Sequence, residues 1–212
     1  MKIILTSVET GLLEAWTSFC GDLDFVTIHH GSILDLACDA VVSPANSFGF
    51  MDGGIDALYS DRFGWTVQKR LQRLIADRHR GELLVGTAEI VETDYLRLPF
   101  LIAAPTMRVP MILGRETVTP YLATRATLLL IGNGIFPEGQ HAGEQVSAYV
   151  ESVAFPGMGT GVGKVPFEVC ARQVRAAIDD VLLKKFYPPV SWAEASERHQ
   201  LLYSNRTKDL QY

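Results

Sequence analysis

The chain has 212 residues, 48% of them hydrophobic and 20% charged, with 19 basic and 24 acidic side chains and a formal net charge of −5. That length supports one domain with a sizeable core and no staples, and that charge excludes a broad basic surface for non-specific nucleic-acid binding. Widely spaced Cys20, Cys38 and Cys170, the early Glu9 and Glu14, and the lack of a long apolar run exclude a disulfide scaffold, a signal peptide and a membrane span; the expectation is a cytoplasmic protein without membrane partners.

In chain order, residues 2–6 read as a buried strand, and 11–19 have helical spacing with Thr10 as an N-cap. Residues 24–29 alternate weakly, as a strand does. Residues 38–42 form a compact apolar run ending at Ser43-Pro44. From 56 to 78 apolar residues recur at helical spacing (Leu58, Trp65, Val67, Leu71, Leu74, Ile75), and Gly81 ends that helix. Residues 87–91 and 100–104 read as two further strands, and 119–131 as a helix with Pro120 in its first turn. Residues 150–155 are a strand, and 166–186 a helix with Val169, Val174, Ile178 and Val181 inward. Pro188-Pro189 stops it. A short helix is expected at 192–202, then a polar tail at 204–212. Strands alternating with helices predict an α/β domain with a largely parallel sheet covered on both faces.

Two loops stand out. Ser43-Pro44-Ala45-Asn46-Ser47-Phe48-Gly49 runs on to Gly53-Gly54-Ile55-Asp56, and Gly157-Met158-Gly159-Thr160-Gly161-Val162-Gly163 follows the last strand. Each leads from a buried strand through glycine-rich backbone into a helix, where backbone amides can meet an anion. The second loop is no Walker A motif, since Met158 stands for a glycine and Val165 for the hydroxyl residue. It also fails the G-x-G-x-x-G register. His29, His30, His79, His141 and His199 are scattered, so neither a metal site nor a cofactor is expected.

The strand and loop 38–47, the Gly53-Gly54-Ile55-Asp56 element and Phe155-Pro156-Gly157-Met158-Gly159-Thr160-Gly161 together resemble the macro domain family. The likeness covers about residues 2–186 and leaves 187–212 as a C-terminal extension. It implies a three-layer α/β/α sandwich around a mixed, largely parallel sheet. It also implies binding of ADP-ribose or a derivative. In some members that binding goes with hydrolysis of a bond at the distal ribose, as in ADP-ribosyl esters, O-acetyl-ADP-ribose or ADP-ribose 1″-phosphate. Others are non-catalytic readers of ADP-ribosylated protein or nucleic acid, and another nucleotide or an RNA end is a third possibility.

By position, the resemblance makes Asn46 and Asp56 the catalytic candidates. Asn46, Gly53 and Gly54 border the distal ribose, Gly157, Gly159, Thr160, Gly161 and Val162 hold the diphosphate, and Ser32 and Ile33 sit at the adenine. Three positions depart from the family: Ser32 replaces an aspartate, Ser43 an asparagine, and Met51-Asp52 part of a glycine run. Each candidate also has a plainer reading. Asn46 is a good turn former, Asp56 a favourable charge at a helix start, and Lys164 a solvated lysine. Arg108 suits either the diphosphate or an acidic partner. Phe48, Phe50, Trp65 and Phe155 read as packing residues.

Overall fold

The computed structural model describes residues 1–207. Six strands form one sheet in the order β2-β1-β6-β3-β5-β4. They are β1 (Lys2–Ser7), β2 (Val26–His30), β3 (Ala40–Ser43), β4 (Glu89–Glu92), β5 (Phe100–Ala103) and β6 (Ser152–Phe155). All neighbours pair in parallel except β4, which closes the edge antiparallel to β5. β3 and β5 are buried along their whole length. That is why they read as unbroken apolar runs rather than alternating ones.

Two hydrophobic cores lie on the two sheet faces. One packs Leu12 and Trp16 of α1 (Thr10–Cys20), Leu128 and Ile131 of α4 (Thr119–Asn133), and Val174 and Ile178 of α5 (Phe167–Val181) against Ile3, Leu5 and Phe155. The other packs α2 (Gly54–Phe63) and α3 (Thr66–His79) against Val41, Leu101 and Ala154 through Tyr59, Leu71 and Ile75. The architecture is a three-layer α/β/α sandwich around a mixed, largely parallel sheet. All three cysteines are free and buried, and burial pushes each thiol up to about 12. Among the described residues no helix is long and apolar enough to cross a membrane.

Several boundaries differ from expectation. The helix expected over 56–78 is two helices, because Gly64 takes φ +85 between them. Only Val67, Leu71, Leu74 and Ile75 then share a buried stripe; Leu58 and Trp65 are about half exposed. Thr10 is the first residue of α1 rather than its cap. Glu9 holds the N-cap position without a side-chain bond to the helix, and the Ser7 hydroxyl instead accepts from the Glu9 N–H at 2.8 Å. The helix α5 stops at Val181, well before the prolines, as the chain passes through Lys184 at φ +53. After α5 the chain carries α6 (Trp192–Leu201), with Gln200 buried and Tyr203 partly buried against the first core. The last part of the expected polar tail, 208–212, lies outside the described residues.

Candidate functional site

The carboxyl ends of β2, β1, β6 and β3 open side by side into a cleft of about 450 Å³, the position where open parallel sheets take ligands. Its first wall follows β3. Thr106 fastens this loop, its N–H donating to Ala45 O at 3.1 Å and its hydroxyl to Pro44 O at 2.8 Å. The Ser47 N–H donates to Arg108 O at 3.1 Å. Asn46 lines the cleft, and its side chain also folds its own loop. The carboxamide oxygen accepts from the N–H groups of Phe48 and Phe50 at 3.1 and 3.3 Å, and the amide donates to Phe50 O at 2.8 Å. The turn-forming reading of Asn46 is realised, and one N–H of its amide has no partner among the described residues. Gly53, Gly54 and Asp56 continue this wall. The first bond into α2 runs from the Ala57 N–H to Gly53 O, so the amides before it are the unpaired donors of a helix start.

The opposite wall follows β6, with Gly157, Gly159, Thr160, Gly161 and Val162 lining the cleft. Its carbonyls are turned into the protein. Gly159 O accepts from the Val165 N–H at 3.1 Å, Gly161 O from Lys164 at 3.3 Å, and Gly163 O from Leu113 at 2.8 Å. Among the described residues, the N–H groups of 159–163 donate to no protein acceptor. Five consecutive unpaired donors beside a cleft are chemically suited to an anionic oxygen. Gly159 needs its glycine, with φ +72 and Val165 Cγ2 3.1 Å from where a Cβ would stand. Gly161 faces open space.

Between the walls lies Asp56, in the first turn of α2, with only 6% of its surface exposed. Its carboxyl oxygen accepts from the Ser43 hydroxyl at 2.6 Å. Burial pushes its pKa up to about 7, the Ser43 bond pulling weakly the other way. Being buried with one partner, it is not the fully ionised carboxylate that a helix start alone would favour. Beneath it the Tyr59 hydroxyl donates to Val42 O at 3.0 Å.

The remaining end is formed by Ser7 and Glu9 after β1 and by Gly31, Ser32 and Ile33 after β2. Among the described residues the cleft is lined by three carboxylates, Glu9, Asp52 and Asp56, and by no Lys, Arg or His. Arg108 pairs with Glu82, Nε to Oε1 at 2.6 Å, and lies over the Phe48 ring at 5.1 Å. Its acidic-partner reading is the one realised.

A family profile described as "Macro domain" matches residues 42–174. An uncharacterized protein of Aquifex aeolicus is 32% identical over 163 residues, covering 77% of this chain and 83% of that one. The chain belongs to the macro domain family. Its fold is similar to the macrodomain of Mycobacterium tuberculosis DarG, with TM-score 0.57 and 20% identity over 73% of this chain and 90% of that one. It is equally similar to a mutant Oceanobacillus iheyensis macrodomain with ADPR, again TM-score 0.57 and 20% identity, over 82% of this chain and 86% of that one.

The catalytic and ligand-binding candidates named from the sequence, from Ser32 and Ile33 to Gly161 and Val162, line the same cleft of this macro domain. Sequence reasoning missed Ser7, Glu9, Phe50, Leu58, Met107 and Pro110. The turn after β1 lacks the glycines that marked the other two loops. Phe50 and Trp65 are not packing residues: each is about half exposed, and Phe50 lines the cleft, whereas Phe155 is fully buried. A larger cavity of about 860 Å³ lies where α6 meets the start of α5, lined among others by Arg115, Arg172 and His199. Neither glycine loop reaches it, and its Arg172 is bonded to Asn205.

Proposed function

We propose that the cleft binds ADP-ribose or a close derivative and hydrolyses a bond at the distal ribose. The observation that carries the binding is the run of unpaired amides at 159–163, facing the unpaired first amides of α2 across one cleft. A diphosphate supplies the acceptors that such a nest lacks, and with no basic side chain on the wall the amides must do this work. Gly157, Gly159, Thr160, Gly161 and Val162 hold the diphosphate. The remaining N–H of Asn46 and the Gly53-Gly54 backbone position the distal ribose, and Ser32 and Ile33 border the base. The fold neighbour with ADPR supports the same ligand class.

For hydrolysis, Asp56 with a pKa near neutrality is suited to orient a water and take its proton as the water oxygen bonds to the carbon at the scissile linkage. The bond from that carbon to the leaving oxygen breaks, and the leaving oxygen takes up the proton that Asp56 accepted from the water, so that the carboxylate is regenerated. Holding water and bond in line accounts for much of the expected rate gain. The burial of Asp56 and its bond to Ser43 also favour a second reading, a non-catalytic reader in which the carboxyl only shapes the ribose pocket.

Calorimetry and thermal shift with ADP-ribose, AMP and NAD test the binding, since a ligand of the folded state must raise its stability. Absence of both heat and shift with millimolar ADP-ribose would overturn it. Single-turnover assays on ester-, O-acetyl-, 1″-phosphate- and nucleic-acid-linked ADP-ribose then separate the hydrolase from the reader.

A further inference from the structure

The base end of the cleft is built on two neighbouring parallel strands. Ser7 of β1 stands opposite His30 of β2 in the register. The Gly31 N–H donates to Ser7 O at 3.0 Å, and the Thr6 hydroxyl to Gly31 O at 2.9 Å. These bonds set the β1–α1 connection directly against Gly31-Ser32-Ile33, and Ser7, Glu9, Ser32 and Ile33 line the cleft together.

Two of the side-chain oxygens there are already used. The Ser32 hydroxyl accepts from the Leu34 N–H at 3.2 Å, capping the 3-10 turn Ile33–Asp35. The Ser7 hydroxyl accepts from the Glu9 N–H at 2.8 Å and donates to Glu9 O at 3.3 Å. Glu9 differs. Its side chain is exposed, it does not cap α1, and among the described residues its carboxylate bonds to nothing in the protein.

We propose that Glu9 is the specificity-determining residue for the base. Its carboxylate accepts a hydrogen bond from the exocyclic amino group of adenine, a contact that Ser32 does not supply. The inference rests on the ADP-ribose reading of the cleft. A carboxylate only accepts, so it favours a 6-amino base and opposes a 6-oxo base, which presents an acceptor in return. Sites built around such a polar contact discriminate more sharply than apolar ones.

The test compares ADP-ribose with its hypoxanthine counterpart by calorimetry on the wild type, Glu9→Gln and Glu14→Gln, the last an exposed acid of α1 that does not line the cleft. The wild type should favour the adenine compound by about tenfold or more. In Glu9→Gln the preference should fall towards parity, because a carboxamide can accept from an amino group or donate to an oxo group. Glu14→Gln should keep the wild-type preference, with melting curves confirming that both variants fold. A Glu9→Gln protein with the wild-type preference overturns the proposal, and so does a wild type that binds both compounds equally. A wild type that binds neither overturns the ADP-ribose reading itself, and the role of Glu9 with it.

Discussion

Gly161 and Gly159 sit two residues apart in the amide nest and separate binding from folding. A side chain at Gly161 meets open space in the protein, whereas one at Gly159 meets Val165 and Leu113 at a backbone angle of φ +72. Gly161→Glu should therefore melt like the wild type and lose ADP-ribose, by repulsion of the diphosphate. Gly159→Val should lose both, with a stability cost of about 1–3 kcal/mol. Melting curves beside calorimetry on the two variants check this, and wild-type affinity in Gly161→Glu would remove the loop from the ligand site. Asp56 gives a second test. Its carboxyl is neutral up to about pH 7 when folded but ionises near pH 4 when unfolded. Between those values the unfolded state has released a proton that the native state keeps, so stability falls as pH rises and levels off above about pH 8. Asp56→Asn lacks this titration. It should be more stable than the wild type by about 1–3 kcal/mol at pH 8, and the difference should vanish near pH 4. Denaturant melts across that range decide it; a gap that does not change with pH would mean Asp56 titrates alike in both states. If Asp56 is the base, turnover should rise through about pH 7 and fall steeply in Asp56→Asn, with little change in ADP-ribose affinity.

The interruption between α2 and α3 shows where pattern reading stops. The apolar spacing runs on through residues 56–78, but a single glycine at φ +85 resets the helical phase. Gly64→Ala should cost about 1 kcal/mol although a methyl fits there, its nearest neighbour being Thr66 Oγ1 at 3.7 Å, because alanine resists that angle. Urea titration would show it, and an unchanged midpoint would mean that the two helices have fused. The sheet was legible because β3 and β5 are buried on both faces and read as apolar runs. The two glycine loops were legible because unpaired backbone donors demand glycine or a helix start. The third edge of the cleft, Ser7 to Glu9, was not: its geometry comes from strand pairing between β1 and β2, which no local pattern encodes. Asn46 was legible as a residue but not in its division of labour, because that depends on where Phe50 folds back.

At the scale of the whole molecule, β6 enters the middle of the sheet between β1 and β3, although among the described residues it is the last strand. The loop after β6 therefore lies between the carboxyl ends of β1 and β3, and the cleft is a property of the whole sandwich. The cleft also sets how the protein meets its ligand in solution. Among the described residues Glu9, Asp52 and, above about pH 7, the ionised Asp56 line it with no cation, on a chain of net charge −5. A doubly negative ligand is not drawn in by long-range attraction; it approaches against a mild repulsion and is captured by dipoles acting at contact. Sites built on lysine and arginine weaken as ionic strength rises. Here added sodium chloride screens the repulsion, so association should quicken and affinity should hold level or improve. Stopped-flow association and equilibrium titration from tens to several hundred millimolar salt would read this directly. An affinity that falls more than about threefold over that range would show that a cation beyond the cleft wall, such as Lys164, holds the phosphates instead.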